Sequence, residues 1–213
     1  MGNYYSKRLL IALFFLFEFA NCFSQRFNSG IVAGLTATQV SGDDLQGFDK
    51  PGLQVGALVS AEMSQKFDLS FQILYTQKGS KRKSNVEQGD FQYYLLKLNY
   101  IEVPLLFTYK SSKKVHIESG ISYGYLASSS EEDETGVISD IPDRKKFKNY
   151  ELGFLIGMNY MLFENFYLNL QATNSILPVR EYEPGTYKIH RDQYNSGLLF
   201  TFKYIFKKTT AEQ

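Results

Sequence analysis

The sequence has no tryptophan, one cysteine, two histidines and five prolines. Cys22 lies in a segment expected to be removed on export, so the remaining chain should have no disulfide and no thiol chemistry. His116 and His190 are far apart and lack ligand spacing, so no metal is expected, and no other cofactor motif is present. The few prolines, with only 16 glycines, leave no room for a long disordered or collagen-like stretch. A dominant charge is also missing. Without Lys7, Arg8 and Glu18, 21 basic and 21 acidic side chains remain. That balance excludes a nucleic-acid binder, whose contact face must be basic. After residue 24, no apolar run approaches the roughly 20 residues that a membrane helix needs.

The one long apolar run is Leu9–Ala20, behind Lys7 and Arg8. Cys22 and Ser24 are small residues at the −3 and −1 positions of a cut before Gln25, so residues 1–24 read as a cleaved signal peptide. A lipidated N-terminus on Cys22 is disfavoured by Asn21 in front of it.

What the chain does contain is 18 Phe and 16 Tyr, and a recurring alternation of period two. That alternation marks strands with one apolar face. Eight segments show it: Ser29–Thr38, Leu53–Met63, Asp68–Lys78, Tyr93–Tyr109, Val115–Ala127, Asn149–Met161, Asn165–Thr173 and Asn195–Phe206. Most run about 9 to 13 residues, whereas a tilted strand crossing hydrocarbon needs about 9–11 and globular strands average about 5–6. The connections alternate between long and short without exception. Long external loops and short periplasmic turns produce that alternation in an outer-membrane barrel. The expected fold is therefore all-β: a closed antiparallel eight-stranded transmembrane β-barrel, an up-and-down meander. It should occupy residues 25–206, with a short C-terminal tail at 207–213.

Energy as well as pattern assigns the faces. A lysine facing lipid at the bilayer midplane costs about 2–4 kcal/mol. The polar face should therefore enclose a narrow lumen, with Lys97, Glu102, His116, Glu118, Glu151 and Lys203 as its polar cluster. Such a filled interior argues against a wide pore. Tyr75, Tyr109, Tyr123, Tyr125, Tyr204 and Phe206 fall near strand ends, as interface girdles would. Pro104, which lacks a ladder donor, implies a bulge there or a strand end beyond the membrane.

Four stretches also carry a family resemblance: Gly30–Leu35 (GIVAGL), Leu98–Phe107 (LNYIEVPLLF), Gly120–Tyr125 (GISYGY) and the final aromatic strand. Together they resemble the outer-membrane β-barrel family of Bacteroidota called PorT-like or "porin family". The most specific part is Tyr100–Leu106 (YIEVPLL). The resemblance implies an eight-stranded outer-membrane barrel, but it does not imply a transport substrate. One class within that family serves protein secretion linked to gliding. The chain departs from the usual pattern where Phe206, an aromatic residue for the insertion machinery to read, is followed by Lys207–Gln213.

The loops carry the remaining chemistry. Lys78, Lys81, Arg82 and Lys83 open the second long loop, where they could meet lipopolysaccharide phosphates or remain solvated. Glu131–Glu134 form an acidic run that matches no calcium loop and reads as solvated. His190 with Ser196 lacks any hydrolase signature, so no catalytic residue is assigned. The expected partners are outer-membrane lipid and lipopolysaccharide, and the barrel-insertion machinery during assembly. The expected role is a membrane-anchored interaction scaffold. The alternatives are a transport or secretion subunit and, behind that, an outer-leaflet lipid-modifying enzyme.

Overall fold

The computed structural model describes residues 27–42, 47–82, 84, 91–138, 145–182 and 191–206. The expected signal segment, the C-terminal tail, Lys83 and His190 lie outside the described residues. The strands are β1 (Phe27–Ser41), β2 (Lys50–Glu62), β3 (Phe67–Arg82), β4 (Tyr94–Lys110), β5 (Val115–Asp133), β6 (Gly136–Val137), β7 (Tyr150–Phe163), β8 (Phe166–Ser175) and β9 (Tyr194–Phe206). Eight of them form an antiparallel meander, which closes where β1 pairs with β9 from Ser29↔Phe206 to Ser41↔Tyr194. The two-residue β6 pairs only with the tip of β5. The expected fold class is thus observed. Closure leaves no barrel strand with an unpaired edge in hydrocarbon, where backbone N–H and C=O groups would find no water.

The side chains sort as alternation requires. Glu102 and Lys203 are 3% and 6% exposed, while Ile31 and Phe200 are 51% and 44% exposed. The greasy rows therefore face outward. Aromatic rings gather at the rim of the short turns: Phe67 stacks on Phe107 with centroids 5.0 Å apart and lies 5.2 Å from Tyr109, and Tyr204 meets Phe206 edge-on at 5.2 Å. Tyr123, Tyr125 and Tyr150 lie exposed toward the opposite rim.

Several strands run further than the alternation shows, β3 and β5 among them. β3 continues past Lys78 to Arg82, and β5 past Ala127 to Asp133. Beyond Tyr75, Ile101 and Tyr125 the outward row turns polar. Asn99 donates to Ser128 at 2.9 Å, and Lys97 pairs with Glu132 at 2.9 Å. Above the lipid both faces of a strand can be polar, so the amphipathic signal fades while the ladder persists. β3, β4 and β5 (16, 17 and 19 residues) project as a fin, whereas β8 has 10 residues.

Pro104 does not carry a bulge. The β3–β4 pairing lapses opposite it, between Phe71↔Leu105 and Leu74↔Glu102, without a change of register. A missing N–H accounts for the lapse. The bulge sits higher, where Tyr100↔Leu126 is followed by Asn99↔Ser128 and Ala127 is the extra residue. The other expectation concerns a strand end beyond the membrane; β4 runs 17 residues, and Asn99 and Lys97 follow Ile101 on its outward row.

A second seam separates β2 and β3 above Gln54↔Thr76, where their ladder stops. There the Gln77 and Gly79 carbonyls accept hydrogen bonds from the Thr36 and Thr38 hydroxyls of β1, at 2.8 and 3.0 Å. Thr36 reaches across because Gly52 lies between. A Cβ at Gly52 would stand 2.5 Å from both Thr36 Oγ1 and the Gln77 carbonyl oxygen. Gly52→Ala is expected to destabilise the barrel by about 1–3 kcal/mol through overpacking. The readout is the urea midpoint of the folded band on unheated gels. An unchanged midpoint would mean that the seam tolerates a side chain.

Candidate functional site in the lumen and crown

Alternation places one residue in two of every strand inside an eight-stranded lumen, which side chains can fill. The filling is layered. At the short-turn end Glu118 of β5 receives Lys203 Nζ of β9 at 2.8 and 2.9 Å. It also accepts from Asn159 and Asn169, each at 2.7 Å, and from Gln171 at 3.1 Å. Below this layer is a cavity of about 230 Å³ lined by Asp68, Lys110, His116 and Tyr167, among others. His116 faces inward as expected, its ring 5.6 Å from that of Tyr167.

Next comes an apolar layer, Val32 with Leu58 and Leu74. Beyond it Lys78 reaches between two carboxylates, Glu102 at 2.6 Å and Glu151 at 2.9 Å. Glu151 also accepts from Ser175 and Asn195, both at 2.8 Å. Lys78 Nζ lies 5.4 Å from the centre of the Tyr100 ring, whose hydroxyl accepts from Asn195 at 3.3 Å. Above this, Val40, Leu96, Leu98 and Tyr100 form an apolar cluster packed by Tyr94, Leu126 and Phe147.

The crown closes on Arg180. Its Nε donates to Gln193 at 2.7 Å, Glu131 lies at 3.4 Å, and the guanidinium stands 4.0 Å above the Phe147 ring. Tyr94 donates its hydroxyl to Glu131. Val179 is buried beside Arg180, and its N–H donates to the Gln193 carbonyl at 2.8 Å.

Glycines make these layers possible. In the sheet register Gly124 stands between Glu102 and Glu151, and Gly157 between Glu118 and Gln171. Gly56 separates Val32 from Leu74, and Gly120 separates Leu106 from Leu155. Each missing side chain leaves room for its two flanking neighbours to meet, the alternation of small and large residues that a tapering barrel uses.

The structure corrects several assignments. Lys97 is not in the lumen. It shares the outward row of β4 with Asn99 and Ile101, and its side chain is 45% exposed beside Glu132. Its parity with Ile101 already required this. Lys78 cannot meet lipopolysaccharide, because it is 2% exposed and held by two carboxylates. Lys81 and Arg82 lie at the end of β3 rather than in a loop. Glu102, His116, Glu118, Glu151 and Lys203 all lie on the inner face. The acidic run is not simply solvated: Glu131 and Glu132 belong to β5 and engage Arg180 and Lys97. Ser196 donates to Asn174 at 3.0 Å on the outer surface. Among the described residues no three or more His, Cys, Asp or Glu converge as a metal site.

Sequence reasoning missed Tyr100, Arg180, Gln193 and Asn195. Parity could have placed Tyr100 and Asn195 inward. Arg180 and Gln193 lie outside the regular strands and are tied by an isolated bridge, so no periodicity marks them.

A closed eight-stranded barrel with an apolar outer belt, aromatic rims and a neutralised interior defines an integral outer-membrane protein. The chain belongs to the outer membrane protein β-barrel domain family, whose model matches residues 19–179. Curated protein sequences yield no match. Several solved barrels are similar. Ail, the attachment invasion locus protein of Yersinia pestis, is 14% identical, covering 85% of this chain and 99% of its own, with a TM-score of 0.48. Neisserial surface protein A is 14% identical, covering 84% and 96%, with a TM-score of 0.46. OprG from Pseudomonas aeruginosa is 12% identical, covering 86% and 96%, with a TM-score of 0.41.

Breaking one partner of a buried pair strands the other charge, at a cost of about 3–5 kcal/mol. Lys203→Met should therefore destabilise the barrel by that amount in urea unfolding. Adding Glu118→Gln to the same chain should recover most of the loss. If the double variant is no more stable than Lys203→Met alone, the lumen pair is not what the barrel depends on.

Proposed function

We propose that this protein is a non-conducting outer-membrane anchor whose extracellular fin and loops act as an interaction platform, without enzymatic activity of its own. The observation that carries this reading is the stacking of charged and apolar layers across the lumen, from Glu118–Lys203 up to Arg180. An ion entering from the periplasm would have to shed its water at Val32, Leu58 and Leu74, and a protein packed this way offers nothing in exchange. The lumen is therefore spent on stability, and surface for recognition is left only outside the membrane. Export by residues 1–24 and insertion read from Phe206 complete the proposal.

A second reading, a subunit of a secretion assembly, is favoured by the likeness of Tyr100–Leu106 to PorT-like barrels. In that stretch Tyr100, Glu102 and Leu106 point into the lumen, so this segment serves the barrel itself. Planar-bilayer recordings test the proposal. Reconstituted protein is expected to show no steady single-channel current, and sustained open currents from folded protein would replace the anchor with a channel.

A further inference from the structure

We infer that the cavity at the short-turn end of the lumen is a binding site for a single pyranose ring, held by Ser60, Ser70, Gln72 and Thr108 on one wall and by Tyr167 on the other. This site lies apart from the surfaces proposed above and depends neither on their sidedness nor on a lack of conductance. The cavity of about 230 Å³ begins where the filled lumen stops, below Glu118 and Lys203. It reaches the strand ends, since Glu62 closes β2, Lys110 closes β4 and His116 is the second residue of β5. A ligand entering there need not pass the packed layers.

Idle hydrogen-bonding capacity in one wall carries the assignment. Ser60, Ser70, Gln72 and Thr108 line the cavity and are 9%, 8%, 3% and 8% exposed. They are neighbours in the sheet: Ser60 pairs with Ser70, Gln72 follows Ser70 on the inward row, and Thr108 is diagonal to Ser70. Among the described residues, none of these four side chains hydrogen-bonds to the protein. Across the lumen Asn159 and Lys203 are already bonded to Glu118. Buried polar groups of this kind need water or a ligand. Three hydroxyls and a carboxamide both donate and accept, so their match is a hydroxyl-rich molecule rather than an ion. Charge points the same way. Lys203 is spent on Glu118 at 2.8 Å and Lys110 on Asp68 at 2.7 Å, so neither lysine of the cavity is left to hold an anion. Glu62, directly opposite Asp68, adds an acceptor-only carboxylate suited to hydroxyl donors.

The facing wall is largely apolar. Tyr167 of β8 pairs with Met161 of β7, and Ile205 of β9 lies diagonal to it, two residues beyond Lys203. The Tyr167 ring is buried, with the His116 ring 5.6 Å away. An aromatic ring in a pocket favours C–H groups over hydroxyls. A pyranose has both surfaces, hydroxyls around its edge and C–H groups on its faces. An acyclic polyol has the hydroxyls without the face. Ring hydroxyls that take over the hydrogen bonds of water displace it without loss, and the C–H face frees the apolar wall from water.

The test uses the full mature chain in micelles of an amine-oxide detergent, which carries no sugar headgroup. Isotope-labelled methionine methyl groups report binding by NMR. Met161 lines the cavity, whereas Met158 is exposed on the outer face. Glucose is expected to shift the Met161 methyl saturably and to leave Met158 in place. Ser70→Ala combined with Gln72→Leu should weaken binding about 25-fold, about fivefold for each hydrogen-bonding side chain. Neither residue has a protein partner to lose, so the heat-modifiable migration of this variant should match that of the parent. Thr108→Val, which keeps the side-chain shape, should weaken binding about fivefold and gives a second reading if the double variant does not fold. Ser128→Ala, at the far end of the barrel, should bind as the parent does. Sorbitol, with hydroxyls but no ring, and ethanolamine, a small cation, should both bind more weakly than glucose. Maltotriose binding tighter than glucose supports the end of a glycan chain as the ligand, and equal binding supports a free sugar. The site is overturned by a Met161 methyl that does not move up to the solubility limit of glucose, or by unchanged affinity in the folded variants. Sorbitol or ethanolamine binding as tightly as glucose overturns the sugar assignment.

Discussion

A charge inside an eight-stranded barrel has little water to turn to, and this shortage governs the rest of the structure. Hydrocarbon surrounds the sheet, so the polar face must turn inward. Once there, each carboxylate needs partners supplied by the chain itself. Glu118 takes an ammonium and three amides, and Glu151 shares Lys78 with Glu102 while accepting from Ser175 and Asn195. These contacts join strands far apart in sequence. They hold the cylinder from within, as a hydrophobic core holds a soluble domain.

Partners can converge only where the wall gives way. The glycines between Glu102 and Glu151, and between Glu118 and Gln171, let a side chain cross to the strand after next. The same device at Gly56 brings the aliphatic groups of Val32 and Leu74 together instead. Polar and apolar layers thus share one geometric rule. What differs is the chemistry of the residues that flank each gap.

Much of this was legible in the residues. Period-two alternation and the long–short rhythm of connections gave the strand number, the closure and the side facing lipid. The charge of Lys97 suggests the lumen, but its parity with Ile101 puts it on the outer row. Lys78 opens a run of basic residues that resembles a loop, yet it faces inward from a strand. The outer halves of β3 and β5 escaped notice because alternation records a boundary between two solvents, and above the membrane that boundary is gone. Arg180 and Gln193 hold each other through an isolated backbone bridge and a side-chain hydrogen bond between irregular segments. Only the folded chain brings them together.

The unequal strand lengths have a consequence of their own. With 19 residues in β5 and 10 in β8, the rim is tilted like the lip of a jug. A cylinder free to spin about the membrane normal would otherwise look alike from every side. This one has a front, where the overhang stands clear of the headgroups, and a back, where the wall ends early. Neighbours drifting in the plane of the bilayer meet two different proteins according to their direction of approach.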